Sequence, residues 1–140
     1  MAYKQGPYTI INPAKYVGSK QPYARSSWET AFMNHLDTSQ TVVQWASEEI
    51  SIDYINPVTR RLSKYFPDFL VVYVDKRGKQ HCELIEIKPL KETYQKEAKS
   101  IHDKIALIIN MAKWKAAAQW CAVRGIYFRI LTENDSKRRM

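Results

Sequence analysis

The chain has 140 residues, 45% of them apolar and 26% charged, a composition that fits one domain around a single core and excludes a disordered chain. No apolar run approaches the roughly 18 residues that a membrane span needs, and residues 1–10 lack the apolar stretch of a signal peptide, so no membrane association is expected. The net charge of +8 points to a polyanionic partner, since phosphate neutralisation by Lys and Arg supplies most sequence-independent affinity for nucleic acid.

Residues 1–25, rich in Tyr, Lys, Pro and Gly, show neither helical nor strand period and read as an extended arm. Ser26 then opens a helix. Ser26 and Glu29 have the spacing of a capping box, and Trp28, Phe32 and Leu36 form an apolar stripe that ends near Asp37. Three strand-like segments follow. The first covers residues 47–55, with Asn56-Pro57 as its break; the second covers 62–74; the third covers 80–88 and stops at Pro89, which cannot donate to a ladder. A helix is expected over residues 95–124, with Ile101, Ile105, Ile108 and Ala112 at core spacing and Gly125 just past its end. Residues 126–131 read as a last strand. The order α-β-β-β-α-β predicts an α/β fold, a mixed sheet flanked by helices. Cys82 and Cys121 have neither a disulfide nor a metal-ligand pattern and read as small buried apolar residues.

The informative geometry is the hairpin joining the second and third segments. Lys76-Arg77-Gly78 suits a three-residue loop with glycine in the left-handed region, so Asp75 faces Lys79. Counting pairs back from that turn sets Asp68 opposite Glu86, provided no bulge intervenes. Glu86 and Lys88, two apart, share a strand face. Two carboxylates about 4 Å apart repel by roughly 4 kcal/mol at an effective dielectric of about 20. A divalent cation between them reverses that problem, and hard oxygen ligands suit Mg²⁺. The competing reading is an ordinary Asp/Glu/Lys cluster at a solvated sheet end.

Pro67-Asp68 followed by Glu86-Ile87-Lys88 resembles the PD-(D/E)xK nuclease signature. The likeness extends to Tyr23-Ala-Arg-Ser-Ser-Trp-Glu29, Trp45-Ala-Ser-Glu-Glu-Ile50, Tyr65-Phe-Pro-Asp-Phe69, Lys113-Trp-Lys-Ala-Ala117 and the stretch from Arg124 to Glu133, which together look like the head-completion nucleases of tailed phages. A more distant likeness is to transposase-associated endonucleases of the same fold. The resemblance implies a restriction-endonuclease-like core over residues 26–133, with 134–140 as a basic tail. It implies Asp68 and Glu86 as ligands of Mg²⁺, with Mn²⁺ as a substitute, and Lys88 as the catalytic lysine. It also implies Glu29 as a further active-site carboxylate, a role that competes with helix capping. The Ile87 carbonyl is a candidate to complete the metal shell.

Glu48 and Glu49 are adjacent, so only one of them can face the site, and the register leaves the choice open. Arg25, Arg60, Arg61 and Lys64 are candidate contacts to the DNA backbone, with solvated side chains as the alternative. Lys113, Lys115, Lys137, Arg138 and Arg139 would add attraction without sequence readout. Trp114 and Trp120 read as core residues, and His35, His81 and His102 have no metal-ligand spacing.

The expectation is a magnesium-dependent endonuclease acting on double-stranded DNA during phage head maturation or packaging. It would work in the host cytoplasm or with the virion, with head, portal or neck proteins as partners, and a homodimer is compatible with that role. The rivals are a non-cutting structural head-completion component and a resolvase or restriction-type nuclease on the same fold.

Overall fold

The computed structural model describes residues 5–93 and 99–135. In chain order the elements are β1 (Gly6–Pro7), β2 (Tyr23–Ala24), α1 (Ser27–Thr38), β3 (Val42–Ser47), β4 (Ile52–Ile55), β5 (Leu62–Tyr65), β6 (Phe69–Val74), β7 (Gln80–Ile87), α2 (Ile101–Arg124) and β8 (Tyr127–Leu131). The central sheet runs β3-β6-β7-β8. Its first two pairings are antiparallel, and β7–β8 is parallel because α2 carries the chain back across the sheet between them. This is the mixed sheet between helices that the sequence predicts.

Each sheet face buries one helix. Met33 and Leu36 of α1 pack against Trp45, Phe69, Val71 and Ile85, whereas Ala117 and Cys121 of α2 pack on Leu84 and on Ile52, Tyr54 and Tyr65 of the separate β4–β5 hairpin. The alternation of β7 explains the split, since Ile85 and Ile87 point to α1 while Leu84 and Glu86 point to the α2 side. Ser26 caps α1 by accepting from the Glu29 amide at 3.1 Å, and Gly125 closes α2 with φ of 70°. Among the described residues, no helix is long and apolar enough to cross a membrane.

Three expectations need correction. The segment 47–55 is not one strand: β3 ends at Ser47, Glu48 turns the chain with φ of 50°, and β4 begins at Ile52 in another sheet. Strand β3 escapes a period-2 reading because Trp45, Ala46 and Ser47 are all buried and its register shifts between Val42 and Gln44. The segment 62–74 likewise divides at Phe66-Pro67-Asp68 into β5 and β6. In α2 three of the four expected core positions face outward, with Ile101 73%, Ile105 38% and Ile108 50% exposed, whereas Ala112 packs half-buried on the α2-side core. The helix instead buries Leu107, Ala117 and Cys121, and Ala117 and Cys121 belong to the core it shares with the β4–β5 hairpin and Leu84. It begins at Ile101 under a Ser100 cap, and the expected start at Gln95 lies outside the described residues, as do Lys137, Arg138 and Arg139.

Residues 5–25 lie against the domain. Asp37, fully buried, accepts from the Tyr8 hydroxyl at 2.8 Å, the Ile11 amide at 2.7 Å and the Asn12 amide at 3.0 Å. Further on, the Val17 amide donates to the Trp45 carbonyl at 2.9 Å. Burial alone would raise the Asp37 carboxyl pKa, but the amides, the hydroxyl and the nearby Lys15 charge outweigh it and hold the group low. Its stabilising contribution is therefore present above the ordinary aspartate pKa of about 3.9 and is lost as pH falls through the lower folded value. Asp37→Ala leaves these donors unpaired and is expected to cost about 2–4 kcal/mol in urea unfolding at pH 7. A loss below about 1 kcal/mol would contradict this account of how residues 5–25 are held.

Candidate active site

The hairpin register predicted from the turn is the register observed. Asp75 and Lys79 close the loop, with the Asp75 amide donating to the Lys79 carbonyl at 2.8 Å and Gly78 at φ of 80°. The pairs run without a bulge from Val74–Gln80 to Phe69–Ile85, and the next step sets Asp68 against Glu86. Asp68 is held from two sides. Its Oδ2 accepts from the Ile87 amide at 2.8 Å, and its carbonyl accepts from the Glu48 amide at 2.9 Å.

Glu86 is 7% exposed. Its Oε1 accepts from the Tyr65 hydroxyl at 2.9 Å, and its Oε2 lies 3.7 Å from the Lys88 ammonium. Lys88 is itself fixed at the backbone by its amide, which donates to the Leu131 carbonyl of β8 at 2.9 Å. Sequence reasoning gave no role to Tyr65. It lies inside the quoted motif Tyr65-Phe-Pro-Asp-Phe69, but no spacing rule says that a chain break at Pro67 folds its hydroxyl back onto Glu86. Lys113 of α2 also belongs to the surroundings. Its ammonium lies 5.6 Å from the Tyr65 ring centre and favours the charged form of Glu86. Trp114 sits close to the Tyr65 hydroxyl, yet its indole N–H makes no hydrogen bond of ordinary geometry.

The electrostatics are those of a crowded, poorly solvated pair. Burial first, then the Glu86 charge, pushes the Asp68 carboxyl well above the usual range; the Ile87 amide and Lys88 only partly offset this. Burial also raises Glu86, against the opposing effects of Lys88 and the Tyr65 hydroxyl. Tyr65 in turn is raised by burial and by the same carboxylate, so it stays a neutral donor.

The remaining candidates divide. Glu29 does cap its helix, although its Oε1 accepts from the Arg25 amide at 3.0 Å, one residue before the position a capping box uses. Its charge is also near enough to raise the Asp68 carboxyl. Arg25 pairs with Glu48 at 2.6 Å, on the Asp68 side of the molecule, while Glu49 turns away to accept from Ser19 at 2.8 Å. Arg60, Arg61 and Lys64 are not brought to the carboxylates. Lys64 pairs across the hairpin with Asp53 at 2.7 Å, and the two arginines occupy the β4–β5 turn. Trp114 and Trp120 are half-buried against the α2-side core.

Residues 39–133 match the family described as TnsA-like endonuclease N-terminal. The chain is also 36% identical to the head completion nuclease of Enterobacteria phage T4 over 146 aligned positions, covering 96% of this chain and 93% of that protein. The chain belongs to this endonuclease family. The family match contains Asp68, Glu86, Lys88 and Tyr65, while Arg25 and Glu29 precede it. No three His, Cys, Asp or Glu side chains among the described residues gather as a metal cage. Asp68 and Glu86 instead bring two carboxylates together. That set suits Mg²⁺, which takes one or two carboxylates and fills its other positions with water and substrate oxygens.

Because both carboxyls are raised, the fold holds protons that the unfolded chain has already released. Stability therefore falls as pH rises from about 4, the ordinary carboxylate range, through the higher folded values. Asp68→Asn keeps an oxygen to accept from Ile87 but removes the repulsion. In EDTA at pH 8 it is expected to melt about 2–5 °C above the wild type, with the gap closing toward pH 4. A variant no more stable than the wild type at pH 8 would contradict the like-charge description.

Proposed function

We propose that this protein is a metal-dependent DNA endonuclease of the PD-(D/E)xK type, with Asp68, Glu86 and Lys88 as its catalytic set and Glu29 as an accessory carboxylate. The observation that carries this reading is the pair Asp68 and Glu86, held side by side at low exposure with one ammonium beside them, in a chain of an endonuclease family. A structural cluster would more readily use unlike charges, since buried like charges destabilise the fold.

Asp68 and Glu86 would hold Mg²⁺, or Mn²⁺ in its place, with the Ile87 carbonyl as a further ligand. Bound there, the ion supplies Lewis-acid polarisation of the scissile phosphate and a water of lowered pKa. Tyr65 fixes the Glu86 carboxylate from behind, leaving its other oxygen toward Lys88. Lys88 offsets the negative charge that develops on the phosphate oxygens as water bonds to phosphorus and the ester bond breaks. Arg25 sits close enough to contact a neighbouring phosphate by exchanging Glu48 for it, and Arg60, Arg61 and Lys64 supply contacts farther along the duplex.

The phage T4 relative is named a head completion nuclease, and that name supports a role in head maturation for this chain. The DNA substrate would then be double-stranded, met in the host cytoplasm or at the head, with portal or neck proteins nearby and a homodimer as one route to cutting both strands.

Supercoiled plasmid and linear duplex, incubated with Mg²⁺, Mn²⁺ or EDTA, test the reading. Cleavage is expected with either ion and absent in EDTA. Glu86→Ala and Lys88→Ala are each expected to lower it at least about 100-fold while DNA affinity stays within a few-fold. Retained metal-dependent cutting by folded Glu86→Ala would remove the site assignment.

A further inference from the structure

We infer that the tip of the β4–β5 hairpin is an apolar wedge flanked by arginines, and that it enters a groove of the duplex and unstacks a base step beside the cut. The inference rests on the DNA-nuclease reading and adds to it the element that grips and deforms the substrate.

The hairpin has two unlike faces. Ile52, Tyr54 and Tyr65 turn inward to α2 and are buried, while the outer face carries the Asp53–Lys64 ion pair and then the directly opposed pair Ile55 and Leu62. Those two are 58% and 66% exposed, and Val58 in the turn beside them is 51% exposed. Single exposed apolar residues are ordinary. Three together at the end of a projecting ribbon, followed by Arg60 and Arg61, are a surface with both a wedge and a charge. Neither guanidinium forms an ion pair with the described residues.

The tip is also held in one shape. The Asn56 side-chain oxygen accepts from the Val58 amide at 2.8 Å and the Thr59 amide at 3.2 Å; the Asn56 amide donates to the Arg61 carbonyl at 2.9 Å, and the Arg60 amide to the Asn56 carbonyl at 2.7 Å. Arg60 has φ of 62°, where glycine or asparagine is the unstrained choice. An arginine kept in that conformation is a charge displayed at a conformational cost, which marks the position for binding.

Duplex DNA is the occupant that fits. Two unpaired arginines on a chain of net charge +8 complement phosphates, and a two-stranded ribbon has the width to enter a groove. Apolar side chains pushed between base pairs unstack and kink the duplex, and the wider contact repays the distortion. The base of the same hairpin is Tyr65, bonded to Glu86. Leu62 lies three residues up the strand, a rise of about 10 Å.

The test uses the full chain in EDTA, so that binding is read without cutting, on duplexes carrying 2-aminopurine at successive positions. Wild type is expected to raise fluorescence at one step. Ile55→Ser/Leu62→Ser, a surface change that circular dichroism should show folded, is expected to abolish the rise and weaken binding about 10-fold without altering its salt dependence. Arg60→Ala/Arg61→Ala should lower the slope of log affinity against log salt by about 2. Arg60→Gly, which relieves the backbone, should bind more weakly while melting no lower than the wild type. Wild-type affinity and fluorescence in the wedge variant, with wild-type DNA cutting intact, would overturn the inference and leave a protein surface as the occupant. A wild type that neither binds nor cuts duplex would instead overturn the nuclease reading beneath it.

Discussion

Two carboxylates that repel each other are pinned together at the end of the β6–β7 hairpin, and the rest of the architecture can be understood from how they are kept there. Neither Asp68 nor Glu86 gains stability from the arrangement, because burial pushes both toward the protonated form and the Glu86 charge adds to that push at Asp68. The pairing is imposed by the ladder. A single bulge between the turn and Phe69 would rotate Asp68 to the opposite sheet face, so the uninterrupted register is what brings the two groups together.

The surrounding elements each contribute one restraint. Strand β3 ends in Glu48, whose amide grips the Asp68 carbonyl, and β8 offers the Leu131 carbonyl to the Lys88 amide. The β4–β5 hairpin brings the Tyr65 hydroxyl onto Glu86, and the start of α1 brings Glu29 and Arg25 to the other side. A two-stranded sheet of its own is an unusual place from which to hold a carboxylate of the central sheet. The root of that hairpin touches Glu86 through Tyr65, and its tip, with Ile55, Val58 and Leu62, is exposed.

The hairpin was legible in the sequence because a three-residue turn with glycine in the left-handed region fixes register by local chemistry alone. The helix cap at Ser26 and the end at Gly125 were legible for the same local reason. What was not legible was tertiary. Strand β3 has buried residues in succession and so no alternation, and the split of 62–74 depends on Pro67 sending β5 and β6 into different sheets. On α2 the eye follows isoleucines, whereas the buried positions are Leu107, Ala117 and Cys121, a choice set by which helix face meets the core rather than by side-chain size. Tyr65 as a partner of Glu86 depends on all of these at once. The meeting of Asp68, Glu86 and Lys88 was readable, and the hydroxyl that holds one of them was not.

The central claim is that the Asp68–Glu86 pair exists to hold a divalent cation. The most direct test is a crystal of the full chain soaked in Mn²⁺, with anomalous scattering recorded at the manganese edge. The account predicts an anomalous peak between the Asp68 and Glu86 carboxylates that disappears in Glu86→Ala. A soaked crystal with no peak there, at a Mn²⁺ concentration that supports cleavage in solution, would contradict it.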